Sequence, residues 1–467
     1  MSVTLYVGNI LIMFINRQEE LQALEDWWSR PGAALGLVWG RRRVGKTSLL
    51  EEFAREKRAI FHTGAGRPPA DELRLLSEAA DRVAKLGARD LGERPFADWD
   101  DALDSLAAAA TRERLLLIID ELPDLVEVSP ELPGVLRAFW DRAAGQTKLR
   151  VLVCGSAVRT MEAIQEERAP LYGRFDLSLL LHPFRPHEAA RMLRPLRPAD
   201  RALVWGIVGG VPLYLAWWDA KRSVKSNLLR LACTPGGRLL DEGRLVLATE
   251  GDLGGLGGLA LRAIAAGRTR HNEIEQAIGA DPSRVLDRLV ELRLVERMVP
   301  VTEDPARTRR RLYRVADNFL AFWLGALDRH RSAISRGLGR QILPVLTEQL
   351  DGHMGDRWED AFRQHLLRMA AAGELGAGIV DVGRWWRDSP AVEVDAVALA
   401  GASREAVLLG EAKWARRASG AALRAGLEAK AAALPRLARD PAYTVAAREQ
   451  VSGTDGVIAL TAAEIFA

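Results

Sequence analysis

Gly40-Arg41-Arg42-Arg43-Val44-Gly45-Lys46-Thr47 lies between an apolar run, residues 33–39, and the amphipathic stretch Ser48-Leu49-Leu50-Glu51-Glu52-Phe53-Ala54. Glycines at both ends let the backbone curl so that its N–H groups, and those opening a following helix, face a single point. That arrangement cradles phosphate. Lys46 would reach the β and γ oxygens of a bound ATP, Thr47 would offer its hydroxyl to Mg²⁺, and Arg41, Arg42, Arg43, Val44 and Ser48 complete the loop. Phosphoryl transfer also needs acids at the end of a second strand. Residues 115–120, LLLIID, followed by Glu121 supply them: Asp120 for Mg²⁺ through water, Glu121 to polarise the attacking water. A third apolar run, residues 149–154, ends in Gly155-Ser156. Ser156 either senses the γ-phosphate or caps the next helix. Arg174, in the loop LYGRF, is either a surface ion-pair partner or a stabiliser of transferring charge, acting across a subunit boundary.

A second constellation lies in residues 392–417, VEVDAVALAGASREAVLLGEAKWARR. Two apolar runs around a turn predict a hairpin, yet Asp395, Glu411 and Lys413 sit inside it. Burying such groups is costly unless they are paired or hold a metal. A turn near Ala402-Ser403 sets Asp395 beside Gly410 and Glu411, and period-two alternation sends Glu411 and Lys413 to one face. Carboxylate oxygens suit Mg²⁺ or Mn²⁺, and Glu359 on a preceding helix is the expected third ligand. This is the D…(D/E)xK logic of metal-dependent phosphodiesterases. The same spacing also fits an ordinary charged hairpin, or such a fold kept for binding alone.

The elements that must hold these residues follow from periodicity. Asn16 to Glu19 reads as a capping box opening a helix that stops before Pro31-Gly32. Gly209-Gly210-Val211-Pro212 predicts a rigid bend suited to a lid or hinge. From 256 to 315, three short helices and two strands predict a winged helix. Nine Arg and no Lys face five Asp+Glu between 284 and 314. Arg307, Arg309, Arg310 and Arg311 cluster at the wing tip, where they could contact DNA phosphates. Residues 318–327 and 355–367 read as helices, the former core-like, and 418–438 as an alanine-rich helix.

The chain has 467 residues, enough for two to four domains. Its 65 Lys+Arg against 62 Asp+Glu exclude a global field for nucleic acid, so any such site is a local patch. Two cysteines, Cys154 and Cys233, argue against a disulfide framework and for a cytoplasmic location. No apolar run is long enough to span a membrane, and the start, MSVTLYVGNILIM, lacks the marks of a signal peptide. Residues 1–12 read as an added edge segment or an upstream start.

With these residues assembled, the chain resembles the archaeal-type P-loop ATPase family with a DUF234-type C-terminal domain. FINRQEEL, WGRRRVGKTSLLEEF, LLLIIDELPDL, VCGSA, PLYGRF, GGVPLYL, YRVADNFLAFW, VGRWW, EVDAVA and GEAKW carry the likeness, which runs from Met13 to about Leu434. The first twelve residues precede the family's usual start. The resemblance implies an α/β fold: an AAA+/STAND-like P-loop core of the ASCE type with a parallel sheet (13–185), a helical lid (186–250), a winged helix (251–330) and a PD-(D/E)XK nuclease-like domain (331–467). It places Asn16 and Arg17 near the adenine, and makes Arg174 and Pro212 an arginine-sensor and a hinge position. The expected function is an ATP-hydrolysing switch or motor coupled to a Mg²⁺-dependent nuclease-like module that acts on DNA, with self-association and a second Mg²⁺ or Mn²⁺ in the C-terminal domain. The alternatives are a STAND-type signalling ATPase without a nucleic-acid substrate, and a DNA-binding ATPase whose nuclease fold is inert.

Overall fold

The structure, a computed structural model, describes residues 4–7, 10–84, 86, 89–249 and 253–467. Two compact units result, Met1–His182 and Pro183–Ala467.

The first unit is built on strands β3 (Ala34–Trp39), β4 (Ala59–Thr63), β5 (Leu115–Asp120), β6 (Leu149–Gly155) and β7 (Leu177–Leu180), preceded by β1 (Thr4–Val7) and β2 (Ile10–Met13). The sheet order is β4-β5-β6-β3-β7, all parallel. Every residue of β3, β5 and β6 is buried, because helices cover both faces and an unbroken apolar run has no wet side. Leu35 and Leu37 pack with Leu117, Ile119, Val151 and Val153 on one face, while Ala34, Val38, Leu116, Ile118 and Leu152 pack on the other. Parallel strands end together. The residues that follow β3, β6 and β5 therefore emerge side by side at one sheet edge, where ligands of open α/β sheets bind.

Residues 1–12 read as an added edge segment or an upstream start; among the described residues β1 and β2 pair with each other as a separate ribbon. One expectation fails in this unit. Asn16 is not the helix cap. Gln18–Ser29 is capped by Arg17, and both Asn16 and Arg17 adopt left-handed backbone (φ +69° and +64°). The arginine guanidinium is needed elsewhere, as shown below.

The second unit has a core shared by its three later segments and a second cluster, with Trp385, Val397, Leu409 and Leu427, on the C-terminal sheet. Buried residues from the helices before residue 250 (Ala202, Trp205, Leu228), the winged helix (Leu261, Leu286) and the C-terminal region (Trp358, Phe362, Phe466) form a single cluster. A continuous core leaves no cleavage plane between lid, wing and sheet. The bend at Gly209-Gly210 is closely packed: a Cβ on Gly210 would stand 1.8 Å from the Phe184 carbonyl oxygen, and Phe184 N–H donates to Gly210 O at 2.7 Å. Helices Pro198–Val208 and Pro212–Trp217 are thus joined by a packed corner.

Helices Gly254–Ala265, His271–Ile278 and Ser283–Glu291 precede the antiparallel pair β8 (Val295–Met298) and β9 (Leu312–Val315), as a winged helix requires. The C-terminal sheet contains β10 (Ile379–Asp388), β11 (Ala391–Ala400), β12 (Glu405–Lys413), β14 (Leu437–Ala447) and β16 (Ile458–Leu460), in that order. Its first three strands are antiparallel and its last three parallel. β13 (Arg417–Ser419) and β15 (Gln450–Ser452) make a small separate pair. Helix Leu350–Ala371 packs on the sheet through Phe362, whose ring lies where a Cβ on Gly410 would sit. Among the described residues no helix is long and apolar enough to cross a membrane.

Candidate active site

The loop after β3 is shaped by positive φ at Gly40 (+146°), Arg43 (+72°) and Gly45 (+91°). A Cβ at Gly40 would meet the Leu181 carbonyl oxygen at 2.5 Å, so only glycine fits there. Lys46 opens the helix Lys46–Ala54, and its Nζ donates to Gly40 O (2.9 Å) and Arg41 O (3.0 Å) inside the loop. Burial lowers its pKa, while Cys154, Glu121 and Asp120 act the other way. Thr47 Oγ1 donates to Asp120 Oδ2 at 2.7 Å, so a hydroxyl and a carboxylate from two elements meet at the strand ends. These oxygen-only donors fit Mg²⁺. Glu121, in left-handed backbone at φ +51°, accepts from Ser156 Oγ–H (2.8 Å) and Ser156 N–H (3.2 Å). Ser156 therefore orients Glu121; the next helix is capped at Ala157 instead.

Arg17 clamps this loop. Its Nη2 donates to Val44 O (3.0 Å) and His182 O (2.6 Å), and its Nη1 pairs with Glu20 at 2.7 Å. Two consecutive non-glycine left-handed residues cost on the order of 1 kcal/mol each, and the clamp holds them. Arg174 forms a two-point pair with Asp141 (2.9 Å to each oxygen) and also donates to the carbonyls of Pro170 and Tyr172. Pro212 lies in the second unit as the first residue of its helix.

In the second unit, carboxylate oxygens of Glu359, Glu393 and Asp395 lie within 4.8 Å of one another. A β-bulge helps to bring them together. Gly383 opposes Val397 and Trp385 opposes Val394, so three steps on β11 match two on β10 around Asp395. Asp395 Oδ2 accepts from Ala412 N–H at 2.9 Å. Arg363 donates to the Asp395 carbonyl at 2.8 Å and approaches Glu359 at 3.7 Å. Glu359 Oε2 is buried without a hydrogen-bond partner among the described residues. Burial, then the Asp395 charge, pushes the Glu359 carboxyl up to about 7. Burial, then Glu411, raises Asp395 as well. A buried carboxylate oxygen that accepts no hydrogen bond, beside two further carboxylates, fits a hard divalent cation.

Glu411 was expected in that set, but its oxygens are occupied by Lys413 Nζ (2.6 Å) and by Lys430 Nζ (2.7 Å) from the helix Gly420–Ala431. Burial works against its ionisation, but the two ammonium groups outweigh it and hold its pKa low. Glu393 takes its place in the trio.

A family model describing an ATPase domain predominantly from Archaea matches residues 14–217, and one for archaeal and bacterial proteins of unknown function, DUF234, matches residues 323–424. The chain belongs to this archaeal-type ATPase family. An uncharacterised protein of Methanocaldococcus jannaschii is 24% identical over 414 residues, 86% of this chain and 88% of that one. An uncharacterised ATP-binding protein of the same organism is 48% identical over 48 residues, covering 10% of this chain and 81% of its own length. The Walker-type ATPase of Pyrococcus abyssi shares the fold, with a TM-score of 0.52 at 20% identity over 67% of this chain and 96% of that one.

In this archaeal-type ATPase the octet meets the acid pair through Thr47 and Asp120, and Ser156 meets it through Glu121. The wing arginines do not form one free cluster. Arg310 pairs with Glu303 (3.0 Å), and Arg307 with Asp304 (3.5 Å), while Arg309 is exposed. At the base of the wing loop Val301 N–H donates to Arg384 O on β10 (2.9 Å), and Arg404 donates to Val301 O (2.9 Å).

Proposed function

We propose that the chain is an ATP-hydrolysing switch or motor coupled through its winged helix to a C-terminal domain that carries a divalent-cation-dependent phosphodiesterase site acting on DNA. The ATP half is supported by the family and by the Thr47–Asp120 contact. Lys46 sets an ammonium against the β and γ oxygens. Glu121, oriented by Ser156, takes a proton from the water that attacks the γ-phosphorus. Thr47, and Asp120 through water, would hold Mg²⁺, which supplies charge neutralisation on the transferred group.

The observation that carries the second half is the convergence of Glu359, Glu393 and Asp395. They would hold the cation, which supplies Lewis acidity and an acidified water. Lys413, fixed on Glu411, is placed to stabilise charge developing on a phosphodiester. The wing supplies arginines for the phosphate backbone.

The test is to incubate the protein with ATP, Mn²⁺ and several DNA forms, following phosphate release and strand cleavage together. Asp395→Ala is expected to abolish cleavage and Mn²⁺ stabilisation while leaving ATP turnover in place. Wild-type protein that cleaves no DNA form and gains no stability from Mn²⁺ would reduce the C-terminal fold to a binding module.

A further inference from the structure

The carboxylate trio already has cations beside it: Arg363 approaches Glu359 alone at 3.7 Å, and a second guanidinium bridges two of the acids. Arg384, on β10 opposite the bulge, sends Nε and Nη2 to Glu393 Oε1 and sets Nη1 3.8 Å from Glu359 Oε2. Its side chain is 17% exposed. One guanidinium therefore spans two of the three carboxylates that could ligate a metal. Its own backbone is fastened from the far side, since Val301 N–H donates to Arg384 O at 2.9 Å. Next to it, a Cβ on Gly383 would come within 2.9 Å of the Val301 side chain, so the wing loop is packed on this stretch of strand.

We propose that Arg384 is a resident counter-cation of the acid trio, held in place by the wing loop, and that a divalent ion binds there only when the guanidinium withdraws from Glu359 and Glu393. The inference rests on the metal-site reading above and adds a control to it. Three close carboxylates repel one another, and something positive must offset that repulsion in the folded chain. An arginine does so through directional N–H groups at about 2.8 Å from oxygen, whereas Mg²⁺ or Mn²⁺ needs the same oxygens pointed inward at about 2.1 Å. The two arrangements exclude each other at Glu393, where the guanidinium is hydrogen-bonded, and the same guanidinium stands 3.8 Å from Glu359 Oε2. Asp395 is left to Ala412 N–H and stays ready for either. The wing loop thus touches the acid site through a single residue, by main chain on one side and side chain on the other.

The experiment is titration of the full chain with Mn²⁺ alone, read by calorimetry and by loss of the free-ion paramagnetic signal. Arg384→Gln is expected to bind Mn²⁺ at least tenfold more tightly than wild type, and Glu393→Gln in that background to cancel the gain. Arg384→Lys keeps the positive charge but loses the fork, so it preserves the fold more safely. It is expected to gain about threefold. Equal affinity in wild type and both arginine variants would overturn the counter-cation role while leaving the metal site standing. Weaker binding in Arg384→Gln would overturn it too, by making Arg384 a scaffold for the ligands. Absence of binding in all of them would remove the metal site itself, and the proposal with it.

Discussion

At the residue scale, the ATP site divides labour between ground state and transition state. Lys46 touches phosphate oxygens whenever nucleotide is bound, so Lys46→Ala is expected to weaken ATP binding on the order of 100-fold, the loss of a charge-assisted contact of about 3 kcal/mol. Glu121 acts on water, so Glu121→Gln is expected to keep ATP affinity and slow turnover by about 10² to 10⁴. Nucleotide titration and phosphate release on the same samples separate the two, and full turnover by Glu121→Gln would refute its role as base. The carboxylate trio shows what single positions reveal. Glu393 stands two residues before Asp395, and alternation alone puts both on one face, so its signal is present in the sequence. Arg384 and Lys430 carry no such signal. They reach the acids from another strand and a later helix, and only the folded register makes them neighbours.

At the element scale, corners and loops differ most from their sequence patterns. Gly-Gly-Pro reads as a rigid bend because it breaks helices, and the carbonyl of Phe184 against Gly210 shows how closely that bend is packed. Gly210→Ala is expected to destabilise the second unit by about 3 kcal/mol through overpacking, measured by urea denaturation; a change under half a kcal/mol would mean that the corner yields. The wing follows the same lesson. Its four arginines look equivalent in the sequence, yet Arg310 is paired with Glu303 at 3.0 Å whereas Arg309 is exposed. Replacing Arg307 and Arg309 with Ala is therefore expected to reduce the salt dependence of DNA binding by about two ions, and Arg310→Ala by less. An unchanged slope in the double variant would move the phosphate contact off the wing.

For the whole molecule, acid should weaken the second unit. Burial, then Arg357, holds His353 at about 3, with its ring on the Gly206 carbonyl at 2.8 Å. Burial, then Arg368, holds both His187 and His365 at about 4. Each has a folded pKa below its unfolded value, so the unfolded chain takes up protons first. Stability falls as pH drops below about 6.5. Glu359, raised to about 7, works in the opposite direction between pH 7 and 4.5, and three histidines outweigh one carboxyl. Comparing wild type with His353→Gln isolates one term. The wild-type advantage is expected to shrink by about 2 kcal/mol between pH 7 and pH 5, at up to about 1.4 kcal/mol per pH unit. A gap independent of pH would mean that His353 titrates normally.

Local order alone determined much of this protein. Apolar runs too long to alternate demanded parallel strands covered on both faces, a glycine-framed lysine loop demanded a phosphate, and an acid pair at a strand end demanded its partner across the sheet. Such features depend on neighbours a few residues apart, and their physics acts within one strand, turn or helix. Tertiary structure decided the rest. It set Glu393 beside Glu359 and Asp395, while Lys413, two residues along, and Lys430, from a later helix, occupy the oxygens of Glu411. It brought residues of the helices before 250, the winged helix and the C-terminal region into one shared cluster, beside a second cluster on the C-terminal sheet. It also set Arg384 between the acids and the wing loop. Those outcomes turn on which charges meet after the chain has closed on itself, and no spacing along the sequence encodes that choice.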